Sequence, residues 1–187
     1  MTREEKPFEA ALRELGDVLG RMDDGAIDEA CRMLTGARRI GAAGCGRELL
    51  QMKGFAMRLF HLGMPVALVG DVTMPPLGPG DIFLVTAGPG ELATMLALMK
   101  IAHEAGAKIL LVTAQAESAA ARLADFTLLV PAQTMADDRG PARTSVLPMG
   151  SVYEGALFVL FEVMVLKLKA MLGVDAEAMR ARHTNME

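Results

Sequence analysis

The chain has 187 residues, a formal net charge of −4 and 52% apolar residues, enough for one domain with a full core. With no basic block, no Trp and a single Tyr, it has neither the charge footprint of a nucleic-acid binder nor a stacking platform for bases or flavins. The opening residues have no apolar run, the longest apolar stretch (155–166) carries Glu162, and Cys31 and Cys45 build no disulfide framework, so no signal peptide or membrane span is expected and a cytoplasmic location is.

Residues 8–19 place Phe8, Ala11, Leu12, Leu15, Val18 and Leu19 at helical spacing, and a second helix is predicted over 24–35, with Asp23 or Asp24 as N-cap and Gly36 as stop. A strand of small residues, 39–43, runs into Gly44-Cys45-Gly46-Arg47. A helix over 48–62, closed by Gly63, and a strand over 65–69 follow, then a Pro- and Gly-rich loop, 71–80. The central unit comes next. The apolar run 82–85 stops at Thr86-Ala87-Gly88-Pro89-Gly90, Leu92, Met95, Leu96, Met99 and Ala102 share a helical face, Gly106 ends that helix, and 109–112 is a second apolar run. Strand, Gly-rich turn, helix and strand make a βαβ unit.

A short helix over 117–124 and a fifth strand over 126–130 complete the alternating part. Residues 132–148 are polar and irregular, long for a connection inside a compact domain, as functional or mobile loops are. Residues 151–172 form a helix apolar on most sides, which suits a core or a subunit interface. The tail, 175–187, is charged. Fifteen methionines are read as packing residues.

Five apolar strands alternating with helices predict an α/β fold with a parallel sheet. In such sheets ligands bind beyond the strand carboxyl ends, where both Gly-rich turns fall. A turn leading into a helix N-terminus offers backbone N–H groups to an anion. Gly44-Cys45-Gly46-Arg47-Glu48-Leu49 lacks the third glycine of a dinucleotide fingerprint, so no such cofactor is expected. Gly88-Pro89-Gly90-Glu91 lacks the Lys-Ser/Thr of a P-loop and is either a small-anion site or a bare turn. Ser151 and Glu154 have the spacing of a capping box; the functional alternative is a carboxylate at the ligand rim acting as general base. His61, His103 and His183 show no metal spacing, and no metal is expected. His103 reads as a surface residue, His61 lies at a helix C-terminus, and His183 serves catalysis only if the tail docks. Cys45 opens a helix, where a thiol pKa falls, but with no base nearby it reads as packing.

Several strings resemble the sugar isomerase (SIS) domain proteins of the 6-phospho-3-hexuloisomerase type. They are Gly44-Cys45-Gly46-Arg47, then Ala56-Met57-Arg58-Leu59-Phe60-His61-Leu62-Gly63, Val69-Gly70-Asp71, the Gly88–Glu91 turn, Pro148-Met149-Gly150-Ser151 with Glu154, and Met179 with Arg182-His183 and Asn185. The match runs from about Arg39 to Glu187. The resemblance implies one SIS domain over 1–187: N-terminal helices (1–36), a parallel-sheet core (37–150) and C-terminal helices (151–187). It implies a three-layer αβα sandwich with five parallel strands in flavodoxin-like order, and extra helices in oligomer contacts.

The resemblance also implies aldose–ketose type chemistry between a 3-hexulose 6-phosphate and fructose 6-phosphate, without a cofactor. Glu154 stands at the family's proposed base, His183 would assist, from the same subunit or a neighbouring one in a dimer or tetramer, and His61 is a further candidate. Gly44, Gly46, Arg47, Glu48, Thr86, Ala87, Gly88, Gly90 and Glu91 would bind the sugar or sugar phosphate. The departures are specific. The family's phosphate loop reads Ser-Gly-Ser-Gly-Glu-Thr, where this chain has Ala87-Gly88-Pro89-Gly90-Glu91-Leu92, and Glu48 replaces the serine after the first turn's arginine. Hydroxyls and one N–H are lost, and a carboxylate in the same field opposes a dianion. An isomerase on the phosphosugar or a related derivative is expected first; a non-catalytic sugar-binding module is the alternative.

Overall fold

The computed structural model of the chain describes residues 6–186. Helices α1 (Pro7–Leu19) and α2 (Asp24–Thr35) come first. Asp23 caps α2, its carboxylate accepting from the Gly25 and Ala26 N–H groups at 2.8 and 3.2 Å. The chain then runs through β1 (Ile40–Ala43), α3 (Gly46–His61), β2 (Val66–Leu68), β3 (Ile82–Thr86) and α4 (Ala93–Glu104). It continues as β4 (Lys108–Thr113), α5 (Ala119–Leu123) and β5 (Phe126–Leu129), and ends with α6 (Ser151–Leu172) and α7 (Ala176–Ala181). The elements fall where their patterns place them. Strand β2 and helix α5 are shorter than expected, α5 because Ser118 is its N-cap and accepts from the Ala121 N–H at 3.1 Å.

All strand pairs are parallel, in the order β2-β1-β3-β4-β5. Alternation along the strands divides the core into two faces. Leu84, Leu110 and Val112 join the residues of α2, α3 and α6, while Phe83, Val85, Ile109 and Leu111 join those of α4 and α5. Three layers result, with strands apolar on both sides as a covered parallel sheet requires. Helix α6 is apolar nearly all round because α1, α2 and α3 pack against it. Phe161 of α6 stacks on Phe55 of α3 with ring centroids 4.4 Å apart.

The connection from β5 to α6 is tied down along its length. It contains two 3-10 turns, Gly140–Ala142 and Pro148–Gly150. The Gln133 side-chain oxygen accepts from the Thr144 and Ser145 N–H groups, and Glu14 of α1 accepts from Ser145 Oγ at 2.5 Å and from the Val146 N–H at 2.9 Å. Side-chain bonds across 131 positions are invisible to local patterns, so the polarity of the stretch read as a loose loop. Among the described residues no helix is long and apolar enough to cross a membrane.

Candidate active site

Strand order reverses between β1 and β3, and the pairing of Ala43 with Val85 brings their carboxyl ends level. The turns after these strands therefore flank one crevice, the switch point at which open α/β sheets bind ligands. Helix α3 starts from the first turn with Arg47 and Glu48, and α6 starts at the same rim with Ser151, Tyr153 and Glu154. Four elements meet there.

Glu48 turns inward and is 7% exposed. Thr86 Oγ1 donates to its Oε2 at 2.6 Å, and the Gly88 N–H faces both carboxylate oxygens at 3.0 and 3.2 Å. The Tyr153 hydroxyl lies 3.2 Å from Thr86 Oγ1 and donates to the Val112 carbonyl at 3.2 Å. Gly88 leaves room for that ring: a Cβ there would lie 2.8 Å from Tyr153 Cε1. Burial pushes the Glu48 carboxyl up from its ordinary range, the Thr86 and Gly88 bonds pull it partly back, and the Glu154 charge raises it further. Burial and the Glu48 charge push the Tyr153 phenol well up.

A group with a raised folded-state pKa binds its proton more tightly in the native chain. Glu48 therefore withdraws stability as pH climbs from the ordinary glutamate range through its raised value, and the loss is complete above it. Glu48→Gln should flatten that part of the stability–pH curve. Urea melts of both proteins followed upward in pH from the ordinary glutamate range, the direction of the shift, check this. Parallel curves would show that Glu48 ionises as easily in the folded chain as in the unfolded one.

Glu154 carries the second carboxylate, with a side chain 14% exposed. Its Oε1 lies 3.2 Å from Arg47 Nη2. Its Oε2 is buried and has no hydrogen-bond partner among the described residues. Burial raises this carboxyl; Arg47 and the residue's own backbone N–H lower it. The capping box is not formed. Met149 (φ 58°) and Gly150 (φ 70°) are both left-handed, which makes Gly150 the N-cap and moves Ser151 inside the helix. Ser151 Oγ instead donates to the Pro148 carbonyl at 2.7 Å and accepts from Arg47 Nη1 at 2.6 Å. Arg47 also donates to the Met149 carbonyl, so one guanidinium latches the start of α3 to the start of α6.

Other candidates have different employment. Gly44 abuts Thr86 Cγ2 and the Leu49 backbone, where α3 crosses β3, and Gly46 is the first residue of α3. Ala87 is buried, its N–H donating to the Val112 carbonyl and its own carbonyl accepting from Thr113 Oγ1 at 2.7 Å. The Gly90 N–H donates to the Ala87 carbonyl at 2.9 Å. Glu91 accepts from the Ala119 N–H at 2.9 Å, so its carboxylate supports the start of α5. His61 and His183 meet each other, with ring centroids 5.2 Å apart, at the far end of α3, and Arg182 donates to the His61 carbonyl there. Some fourteen residues of helix separate His61 from Arg47, about 20 Å at 1.5 Å per residue. The two imidazoles are thus away from Glu154 within one chain. Burial and the Glu48 charge raise the Cys45 thiol, opposing the lowering expected at a helix start. Among the described residues no cluster of His, Cys, Asp or Glu has metal-binding geometry. Tyr153 was not singled out by its sequence position. The available signal is a lone phenol within an apolar helix, since a buried hydroxyl needs a partner.

Fold and site together define a sugar isomerase domain, and the chain belongs to the SIS domain family, whose model matches residues 33–160. It is similar to a 3-hexulose-6-phosphate isomerase of Methylomonas aminofaciens, 35% identical over 96% of this chain and 97% of that one. A second 3-hexulose-6-phosphate isomerase, from Bacillus subtilis, is 30% identical over 94% of this chain and 95% of that one. The crystal structure of a hypothetical protein from Methanococcus jannaschii superimposes with a TM-score of 0.83 at 22% identity, covering 96% of this chain and 98% of the other, which shows the shared fold.

Proposed function

We propose that this chain is a sugar isomerase working through an enediol, moving a carbonyl between C3 and C2 of a hexulose, as in 3-hexulose 6-phosphate and fructose 6-phosphate or a related derivative. The observation that carries this is Glu154: a partly buried carboxylate at the switch point, with one oxygen held by Arg47 and the other buried and without a partner among the described residues. Two relatives with this activity in their names, similar over nearly their whole length, support it. The reaction needs one base to take the proton from C2 of the 3-hexulose and return it to C3, through a 2,3-enediolate. A carboxyl whose hold on a proton is raised by burial, with an arginine beside it pulling the other way, suits that task. Arg47 is placed to offset negative charge developing on the carbonyl oxygen. The test is deuterium incorporation at C3 of fructose 6-phosphate in D₂O, with wild type and Glu154→Gln compared. Absence of exchange and conversion in folded wild type, with sugar bound, would favour the second reading, a non-catalytic sugar-binding module. That reading is favoured by the occupation of the Gly88 N–H by Glu48.

Residues 1–187 form a single SIS domain in this proposal, divided at 36 and 150, which works in the cytoplasm as a dimer or tetramer. Phe8 and Leu12 of α1 and Phe158 and Leu166 of α6 are all more than half exposed, an apolar surface that a second copy would cover. A neighbouring copy would also be the route by which His183 serves a Glu154 site. Light scattering at micromolar concentration should return a multiple of the chain mass, and Phe158→Asp should lower it. A monomeric wild type would remove both the assembly and the shared histidine.

A further inference from the structure

The β3–α4 turn is where an anionic ligand group would be held, yet the donors of its first part, residues 86–90, are already spent inside the chain. The Gly88 N–H and the Thr86 hydroxyl both point at Glu48, Pro89 has no N–H, and the Gly90 N–H closes the turn on Ala87. Glu48 is held from a second element and walled by Tyr153, so it is a built feature of the crevice. We propose that the Glu48 carboxylate is an internal anion occupying the Thr86–Gly88 cradle, so that the sugar derivative handled beside Glu154 presents an uncharged, hydroxyl-bearing end to Thr86 and Gly88 and no phosphate there.

Three features argue together. An incoming dianion would have to displace Glu48 from two hydrogen bonds and, where it stayed, meet its charge in a buried setting that water screens poorly. Glu154 places a second carboxylate beside the first, and Arg47, the nearby cation, is divided among Glu154, Ser151 and the Met149 carbonyl. A sugar hydroxyl, in contrast, is a donor that carboxylate lone pairs accept without a charge conflict. The selected end is therefore polyol-like. This rests on the sugar-isomerase reading for the ligand class, whereas exclusion of phosphate at Gly88 stands on geometry alone.

The experiment uses the full chain labelled with ¹⁵N-glycine, titrated with inorganic phosphate and, separately, with sorbitol and sorbitol 6-phosphate as stable open-chain probes. In wild type, phosphate should leave the Gly88 amide unmoved, and sorbitol 6-phosphate should bind no better than sorbitol. Glu48→Ser frees the N–H and the Thr86 hydroxyl and removes the charge, so it should gain phosphate affinity by about tenfold or more, with Gly88 shifting, and should come to prefer the phosphorylated polyol. A wild-type Gly88 amide that moves with phosphate would overturn the proposal, as would a folded Glu48→Ser protein that gains nothing. Should the serine variant not fold, Glu48→Gln keeps the shape and the wild-type titration still decides. The outcomes separate cleanly from those of deuterium exchange. Phosphate on Gly88 with Glu154-dependent exchange would remove the internal anion and leave the isomerase. No exchange on any hexulose with Gly88 silent would do the reverse.

Discussion

Glu154→Gln should lower deuterium exchange and conversion of the hexulose by a factor of about 10²–10⁴, the usual worth of a positioned general base. The amide has nearly the shape of the carboxylate but does not accept a proton from carbon at neutral pH. Ligand binding should survive, because the ends of the sugar are held by other groups, and the effect should fall on kcat with KM little changed. Stability should move by less than about 1 kcal/mol, since the lost Arg47 pair is half-exposed on the arginine side and the burial cost of the carboxylate disappears with it. Arg47 gives a contrasting outcome within the same site. Its removal would loosen Ser151 and the Met149 carbonyl along with Glu154, so kcat, KM and stability would change together. A Glu154→Gln protein that still exchanges at the wild-type rate would place the base elsewhere, and the most direct replacement would be Glu48.

The elements, the parallel sheet and the position of the crevice were legible because they rest on local signals, whereas strand order and layers came from the family resemblance. Continuous apolar runs such as 82–85, the stop at Gly106 and the glycines after β1 and β3 each act within a few residues of chain. The Glu48 substitution was legible too, and so was its conflict with a phosphate. Its solution was not. Glu48 finds Thr86 and Gly88 across 38 and 40 positions, which only the pairing of β1 with β3 brings together. The Ser151–Glu154 spacing misled for a related reason: a capping box depends on which residue stands at the N-cap, and two left-handed residues in succession moved that point by one. Glu91 looked like part of a ligand turn because its partner, the Ala119 N–H, belongs to the next crossover. His61 and His183 show the limit from the other side. Their sequence strings point to a site, and the chain folds them against each other at the end of α3 away from Arg47 and Glu154.

Gly150→Ala should be among the most damaging single substitutions in the chain, and its cost follows from how α6 is launched. Gly150 has φ 70° and its N–H donates to Asp138 Oδ2 at 3.2 Å. An added Cβ would lie 2.8 Å from Thr134 Cα and closer still to Thr134 C and Met135 N, all of them backbone atoms. That backbone is fixed in turn, because the Thr134 carbonyl accepts from the Asp137 and Asp138 N–H groups at 3.1 Å. Neither side has a flexible side chain to give way. Left-handed strain and the collision together should cost about 3 kcal/mol or more. For a chain of this length that is about 6–12 °C of Tm. The control lies at the other end of the same helix. Gly173 is also left-handed, at φ 64°, but a Cβ there meets nothing within 4 Å. Gly173→Ala should therefore cost only the backbone strain, about 1–2 kcal/mol. Catalysis should separate the two as well: moving Gly150 shifts Ser151 and Glu154 relative to Arg47, whereas Gly173 is 19 residues of helix from Glu154, about 28 Å away. Equal losses of stability at the two positions would mean that the Thr134 and Met135 backbone yields, and that the rim of the site is softer than its hydrogen bonds imply.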